Sequence, residues 1–410
     1  MKYCLIGAKL GYSYSALVHG RFGLDYSLLE VAEKDLAKFI KENPFDGFNV
    51  TIPYKKAIIP YLDGVSEEAE RIGAVNTVVK KDGKLFGYNT DAAGFEYAVK
   101  RKGVSLKDKN VLILGSGGAA AVARFVAGES GARRVDTVSR GGKINYENCY
   151  DLKDAEIIIN ATPVGTFPDI SETPISPEKF PAVKFVIDMT YNPFNTEFLR
   201  RAKEAGAKTS SGLSMLVKQA IESERLWGFN ADDNACEDAA FNIYKQKSNL
   251  ILIGMPSSGK SSLGKILAEK LGKTFVDTDD EIVKKTGLSP EKIILTRGES
   301  SLRDVESKVI KDLSLSFGCV IATGGGAVLR PENLSLLSKN GVICYIKRDI
   351  SLLSTKGRPL SKNSGIERLF EERRPLYEKY CDFSAENDGD IKDTAKEIIK
   401  KYEDTCRQRT

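Results

Sequence analysis

The chain has 410 residues, of which 41% are hydrophobic and 29% charged, with a formal net charge of +5. That length exceeds what one hydrophobic core serves, so two or three domains are expected. The small positive charge comes without a dense Lys/Arg block or interleaved aromatics, which argues against a nucleic-acid partner.

Residues 1–90 alternate short β-type runs (Tyr3–Ile6, Phe48–Ile52, Thr77–Val79, Lys84–Tyr88) with helical stretches such as Lys34–Lys41. Asn89–Lys102 reads as a helix whose first turn carries Asp91, a residue the helix dipole favours there. Val111–Leu114 is a short apolar run of the kind buried in parallel sheets. An Ala-rich helix at about 119–129 follows, then strands at Arg134–Val138, Glu156–Asn160 and Lys184–Met189. That β-α-β rhythm predicts a doubly wound sheet. Leu213–Glu224 and 232–245 read as closing helices, and the polar stretch 246–249 as a linker. From Leu250 the rhythm restarts: strand, glycine loop, helix Ser261–Leu271, strand Thr274–Asp277, and strand Cys319–Ala322 ending in Gly324–Gly326. The basic, Gly/Pro-broken segment 355–364 has the composition of a lid.

Cysteines stand at 4, 149, 236, 319, 344, 381 and 406 with no close pair, and His19 is the sole histidine. This speaks against a disulfide framework and against a His/Cys metal cage. The apolar run in MKYCLIGAKLG is too short for a signal peptide, and no stretch of about 18 apolar residues occurs. A cytoplasmic protein without membrane contact is expected; monomer and homodimer both fit.

Two phosphate cradles of different chemistry each follow an apolar strand. The first, NVLILGSGGAAAV, carries Gly115, Ser116, Gly117, Gly118 and Ala119, with Ala120 where a third glycine would stand. A glycine turn at a strand-to-helix junction exposes backbone N–H groups to a pyrophosphate. Sites for NAD place an acidic residue on the ribose about 20 residues further on. Here the next strand ends in Ser139–Arg140, and an arginine suits a 2′-phosphate, so NADP is expected. Hydride transfer at a ketone also needs a proton-handling group. Lys55 in NVTIPYK and Asp91 in GYNTDAAGF are candidates, set among polar residues on otherwise apolar strands.

SYSALVH (13–19), NVTIPYK (49–55), GAVNTV (73–78), GYNTDAAGF (87–95), GSGGAA (115–120), NATPVG (160–165), DMTY (188–191) and GLSMLVKQA (212–220) stand in one order. Through them residues 1–245 resemble shikimate dehydrogenase. The resemblance implies an α/β substrate domain (about 1–91 plus 213–245) and a Rossmann NADP domain (about 92–212). It implies a catalytic pair in Lys55 and Asp91. Ser13, Ser15, Thr51, Asn76, Asp91, Tyr191 and Gln219 would hold the substrate's carboxylate and hydroxyls. Thr162, Met189, Gly212 and Met215 would line the nicotinamide side. Ala16 and Tyr12 depart from the family's usual proline and histidine. His19 matches a family position too, but reads as a packed, structural histidine.

The second cradle, Gly254-x4-Gly259-Lys260-Ser261, is a complete Walker A pattern between a strand and a helix. Backbone N–H groups of Ser257, Ser258, Gly259, Lys260, Ser261 and Ser262 would wrap phosphates. Lys260 would neutralise their charge, and the Ser261 hydroxyl would reach Mg²⁺. FVDTDDEI puts Asp277 and Asp279 at a strand end, one for Mg²⁺ and the other for an acceptor hydroxyl. RGESSLRDVES supplies Arg303, TGGG supplies 323–326, GRPL supplies Arg358, and ERRPLY supplies Arg373 with Arg374 as its neighbour and rival. As a set these segments resemble shikimate kinase, from about 248 onward, with the parallel α/β/α fold of P-loop kinases over 250–410. The resemblance gives Asp277 to the metal, and Asp279, Arg303, Gly325 and Arg373 to shikimate. It gives Lys260 a catalytic role and closes Arg358 over the nucleotide. Ser257 stands where the family usually has glycine.

The two halves share one metabolite, so the expected protein is a bifunctional shikimate-pathway enzyme using NADP(H), ATP and Mg²⁺. The rivals are an NAD-using quinate/shikimate dehydrogenase joined to another hydroxy-acid kinase, and a metabolite-sensing regulator with one degenerate domain. Arg140 and the Arg303/Arg373 pair speak against the first. Intact Lys55, Asp91, Lys260, Ser261 and Asp277 speak against the second.

Overall fold

Short runs of apolar and β-branched residues build three sheets in a computed structural model that describes residues 1–353 and 365–410. The chain divides into two units, Met1–Ile243 and Tyr244–Thr410. In the first unit, β1 (Tyr3–Gly7), β2 (Tyr26–Glu30), β3 (Gly47–Val50), β4 (Gly64–Val65), β5 (Thr77–Lys81) and β6 (Lys84–Tyr88) form a mixed sheet ordered β2-β1-β3-β5-β6-β4. The β5–β6 hairpin turns on Asp82–Gly83, both at positive φ (50° and 76°), the Asp-Gly chemistry that matches strand twist.

The second sheet of this unit is wholly parallel. Strands β7 (Asn110–Leu114), β8 (Arg134–Val138), β9 (Ile157–Asn160), β10 (Phe185–Asp188) and β11 (Lys208–Ser211) run β11-β10-β9-β7-β8. All of β7 is buried, and Ala120, Ala121, Val122, Ala123 and Val126 of helix Gly118–Glu129 pack into the core beside it. Small side chains there let the helix lie close to the sheet, which holds the glycine loop between them.

The second unit repeats the parallel plan. Strands β12 (Asn249–Ile253), β13 (Thr274–Asp277), β14 (Cys319–Ala322), β15 (Gly341–Lys347) and β16 (Phe383–Glu386) run β13-β14-β12-β15-β16. In both parallel sheets the first strand of the chain lies between two later ones, so the loop leaving it opens into the crevice where they part. The protein is thus α/β with two parallel sheets.

Most expected elements stand within a residue or two of their predicted bounds. The strand expected at Phe48–Ile52 stops at Val50, because Thr51 O accepts from Tyr54 N at 2.9 Å and starts a turn. Residues 246–249 are not a free linker: helix Ala235–Lys247 runs through their first half and β12 begins at Asn249. Lys273 Nζ donates to the carbonyls of Lys245 (2.7 Å) and Ser248 (2.7 Å), satisfying helix-end acceptors that a loop would leave to water. Among the described residues no helix is long and apolar enough to cross a membrane.

The sole tryptophan, Trp227, closes helix Leu213–Leu226 onto the first sheet. Its ring stacks on Tyr3 (centroids 4.5 Å), and its Nε1–H donates to Val78 O at 3.1 Å. A Cβ on Gly47 would run into that ring. Gly47→Ala should therefore displace the indole, redshift its emission, and lower stability by about 1–3 kcal/mol through overpacking and the lost hydrogen bond. Fluorescence and urea unfolding check this; an unmoved emission maximum contradicts it.

Candidate active sites

The first site is a cavity of about 400 Å³ between the two sheets of the first unit. Its walls include Ser13, Ser15, Asn49, Thr51, Lys55, Asn76, Asp91, Ala119, Thr162, Met189, Tyr191, Gly212, Met215 and Gln219. Chain ends of secondary structure deliver them. Lys55 stands on the short helix Tyr54–Ala57 that follows β3, and Asp91 opens helix Asp91–Arg101 just after β6. Lys55 Nζ donates to Asp91 Oδ2, and both side chains are shielded from water (16% and 8% exposed). Ser13 and Ser15 share a hydrogen bond (3.1 Å) at the start of helix Ser15–Arg21, where Ala16 occupies the first turn and Tyr12 sits at the cavity wall.

Beneath the cavity lies a buried polar network in which the motif reading singled out Asn76 and Gln219 but not Asn49, Thr77, Thr90 or Ser223. Asn49 accepts from Tyr26 Oη (2.7 Å) and donates towards Asn76 O, Thr77 Oγ1 and Ser223 Oγ at 3.0–3.1 Å. Asn76 Oδ1 accepts from Thr90 N (2.7 Å), and its amide donates to Thr90 Oγ1 (2.9 Å) and Gln219 Oε1 (3.3 Å). Satisfied in this way, the amides are held in one orientation. The sequence signal was available: Asn49 is a polar residue inside the otherwise apolar strand GFNV.

The dinucleotide side is arranged from the strand ends of the parallel sheet. Gly115–Gly118 link β7 to helix Gly118–Glu129, and a Cβ on Gly118 would lie 3.2 Å from Lys55 Cδ, so the loop and the lysine meet. Thr162 donates to Asn160 Oδ1 (2.7 Å), whose amide in turn donates to Asp188 (3.0 Å). Burial pushes the Asp188 carboxyl up to about 6, against the pull of donors from Thr190, Thr196 and Asn160. Gly115, Ser116, Gly117, Ser139 and Arg140 do not line the 400 Å³ cavity. They stand further along the strand ends, with Ser139 half-buried and Arg140 exposed just past β8.

The second site gathers on the strand ends of the second unit. The loop from Gly254 leads into helix Lys260–Leu271. Lys260 Nζ donates to the carbonyls of Gly254 (2.9 Å) and Met255 (2.8 Å), and Ser258 is buried beside it. Ser257 takes φ 66°, a left-handed conformation that costs a side-chain-bearing residue about 1 kcal/mol, so the departure from glycine carries a conformational penalty. Ser261 and Ser262 are exposed on the first helical turn, and Ser261 Oγ donates to Asp277 Oδ2 at 2.6 Å. Asp277 also caps helix Thr278–Thr286 by accepting from Asp279 N (3.0 Å). A hydroxyl and a carboxylate in contact offer oxygen donors of the kind Mg²⁺ takes.

Gly324–Gly326 lie where side chains would not fit. A Cβ on Gly324 would press on Glu306 and come within 3.3 Å of Asp279 Oδ1; one on Gly325 would lie 2.6 Å from Pro256; one on Gly326 would lie 2.5 Å from Arg303. The glycine loop is therefore walled by Asp279, Arg303 and the phosphate loop. Arg303 stands on Pro290–Leu313, a helix broken at Gly298 (φ 83°, ψ 166°). It pairs with Glu306 and faces Glu299 at 3.6 Å, while Glu299 also faces Arg373 at 3.9 Å. Burial pushes the Glu306 carboxyl up despite Arg303. Arg373 is 3% exposed and Arg374 56% exposed and paired outward with Glu378, so the fold turns Arg373 inward. The Nε atoms of Arg303 and Arg373 are buried without a hydrogen-bond partner. Arg358 and the segment 355–364 lie outside the described residues.

With these geometries in place, the likeness to known proteins is specific. The shikimate dehydrogenase substrate-binding domain model matches residues 5–78, and the shikimate kinase model matches 256–403. A shikimate dehydrogenase (NADP(+)) of Caldicellulosiruptor bescii is 40% identical over 259 residues, covering 55% of this chain and 88% of that protein. The crystal structure of shikimate dehydrogenase 1 from Peptoclostridium difficile aligns with a TM-score of 0.56 at 35% identity, covering 59% of this chain and 98% of that one. The shikimate 5-dehydrogenase of Thermus thermophilus, solved with NADP(H) and shikimate, aligns with a TM-score of 0.54 at 36% identity, covering 59% and 99%.

Under the Asn49 network lies a buried pair the motifs did not reveal. His19 Nδ1 and Glu224 Oε1 are 2.8 Å apart, and neither side chain is more than 1% exposed. Burial holds His19 down to about 3 and pushes Glu224 up to about 8, so the folded pair carries one proton between those values. In the unfolded chain, with ordinary values of 6.5 and 4.5, that proton is gone above 6.5. Folding thus retains a proton that unfolding releases, and stability falls as pH rises from 6.5 to about 8. Glu224→Gln should flatten that decline, which amounts to roughly 1–2 kcal/mol. Urea unfolding at both ends of the interval tests it; equal slopes in the two proteins would sink the assignment.

Proposed function

The chain belongs to the shikimate dehydrogenase family through its first unit and carries a shikimate kinase domain in its second, and from that premise we propose a direction and an order for its two reactions. It reduces 3-dehydroshikimate to shikimate with NADPH, and then phosphorylates shikimate at its 3-hydroxyl with Mg·ATP. The supporting observation is that the two families meet at one metabolite: a kinase that consumes shikimate draws the dehydrogenase towards reduction.

When bound, the dinucleotide supplies hydride and ATP supplies the phosphoryl group. On this reading Lys55 gives the proton that the ketone oxygen takes as it becomes a hydroxyl, and Asp91 orients the ammonium and shares the proton load. Ser13, Ser15, Thr51, Asn76, Tyr191 and Gln219 pair the carboxylate and hydroxyls of the substrate, since each unpaired buried polar group would cost about 1–3 kcal/mol. Thr162, Met189, Gly212 and Met215 bound the side where the nicotinamide would lie. The loop Gly115–Ala119 offers backbone N–H groups at a helix start, and Arg140 offers a cation at the end of β8 for a 2′-phosphate.

In the second unit, Lys260 and the N–H groups from Ser257 to Ser262 would meet the phosphates, and Ser261 with Asp277 would hold the metal. Asp279 lies within reach of the acceptor hydroxyl, and Arg303 and Arg373 present guanidinium groups to the acceptor's carboxylate. Gly325 lets the acceptor approach the backbone.

The two chemistries should be separable. Lys55→Ala should cut the reduction by roughly 10²–10⁴-fold while added shikimate is still phosphorylated. Lys260→Ala should leave 3-dehydroshikimate stopping at shikimate. Coupled assays on both proteins test this; loss of both activities in either well-folded variant contradicts it.

The cofactor assignment is tested separately. The unmutated chain should prefer NADPH to NADH, and Arg140→Asp should erode that preference by weakening the 2′-phosphate contact. Equal kcat/KM with the two dinucleotides before mutation would overturn it.

A further inference from the structure

Helix Ile366–Tyr380 delivers more than Arg373. One turn further on, Tyr377 is completely buried, its ring stacked on Tyr345 with centroids 5.0 Å apart. A phenol in such a place needs a partner, and its choice is informative. Tyr377 Oη donates to the carbonyl of Gly325 at 2.5 Å and lies 3.9 Å from Met255 Sδ. The same hydroxyl thus touches the acceptor-side glycine loop and the phosphate loop, whose Met255 carbonyl also takes a hydrogen bond from Lys260. Pro256 and Gly325 are packed too closely for a Cβ between them, so a small shift of either loop is felt by the other.

We propose that Tyr377 is a positioning residue for phosphoryl transfer: its hydroxyl pins the Gly325 peptide and so sets the acceptor platform against the phosphate loop and Arg373. This rests on reading the second unit's pocket as the shikimate site. Two neighbours do not serve that carbonyl: Gly324 N already donates to Thr278 Oγ1 (2.9 Å), and Tyr345 presents its ring face, while Arg373 sits beside the same phenol. Without the phenol, the half-buried Gly325 peptide loses this hydrogen bond, and the three-glycine loop has no side chains of its own to hold it.

Tyr377→Phe in the full chain removes one oxygen and keeps the ring that packs on Tyr345. The expected result is a shikimate KM raised roughly tenfold, with kcat changed less, an ATP KM within about twofold, and dehydrogenase activity intact. A lower thermal transition with an unchanged shikimate KM would reduce Tyr377 to a packing residue and overturn the proposal. So would a shift confined to the ATP KM, which would place its action in the phosphate loop alone. If the unmutated chain does not phosphorylate shikimate, the reading of the site fails instead, which separates the two failures. Should the Phe chain not fold, fluorotyrosines at position 377 keep the ring shape while grading the donor strength of the hydroxyl. Shikimate KM should follow that grade, and a KM indifferent to it overturns the proposal as well.

Discussion

Both sites depend on one constraint of parallel sheets. When the first strand is flanked by two later strands, its carboxyl end faces a crevice that no crossover covers. β7 lies between β8 and β9, and β12 between β14 and β15. Each exits through a glycine-containing loop into a helix, with Gly115, Gly254 and Gly259 at positive φ where the chain turns. The remaining site residues are then recruited from neighbouring strand ends: Asn160 and Asp188 in one sheet, Asp277 and Thr323 in the other. The sheet order, set by apolar burial, decides where chemistry is possible before any catalytic side chain is chosen.

The two sites balance charge differently. The first brings one ammonium and one carboxylate together, Lys55 and Asp91, shielded from water. The second site brings Lys260, Arg303 and Arg373 into the buried part of its unit, with Glu299 and Glu306 offsetting the two arginines. Buried guanidinium groups without counter-charges would be costly, so the acidic residues keep the pocket foldable. Their geometry is unequal: Glu306 is in direct contact with Arg303, whereas Glu299 stands 3.6 and 3.9 Å from the two arginines.

Much of this arrangement is legible in the sequence because it is local. Strand, glycine loop and helix succeed one another within a short stretch of chain, and Lys55, Asp91, Lys260 and Ser261 sit in short motifs. What stays hidden is set by pairings across long separations. Glu224 reads as one more acidic residue in an amphipathic helix until the fold buries it against His19. Asn49 reads as a strand interruption until Tyr26, Thr77 and Ser223 converge on it. Spacing to Tyr377 favours Arg373 and leaves Arg374 as its adjacent rival; successive helical residues point about 100° apart, and packing on the core turns only the first inward. The strands β2, β11 and β16 lack strong apolar alternation and are strands because a neighbour's edge was there to pair with.

The same reasoning explains why buried polar residues lie under the first site. A binding pocket for a polyhydroxylated acid must place amides and hydroxyls at the bottom of an apolar crevice, and each of these needs a second partner behind it to hold its orientation. Asn76 is oriented by Thr90, Thr162 by Asn160, and the Gly325 carbonyl by Tyr377. Those supporting groups never reach the cavity in the cases of Tyr377 and Asp188, yet their removal would leave a wall residue free to rotate or a loop free to drift. Orientation is thus set one layer deeper than the contact that uses it, and the depth of the polar network measures how exacting the pocket is.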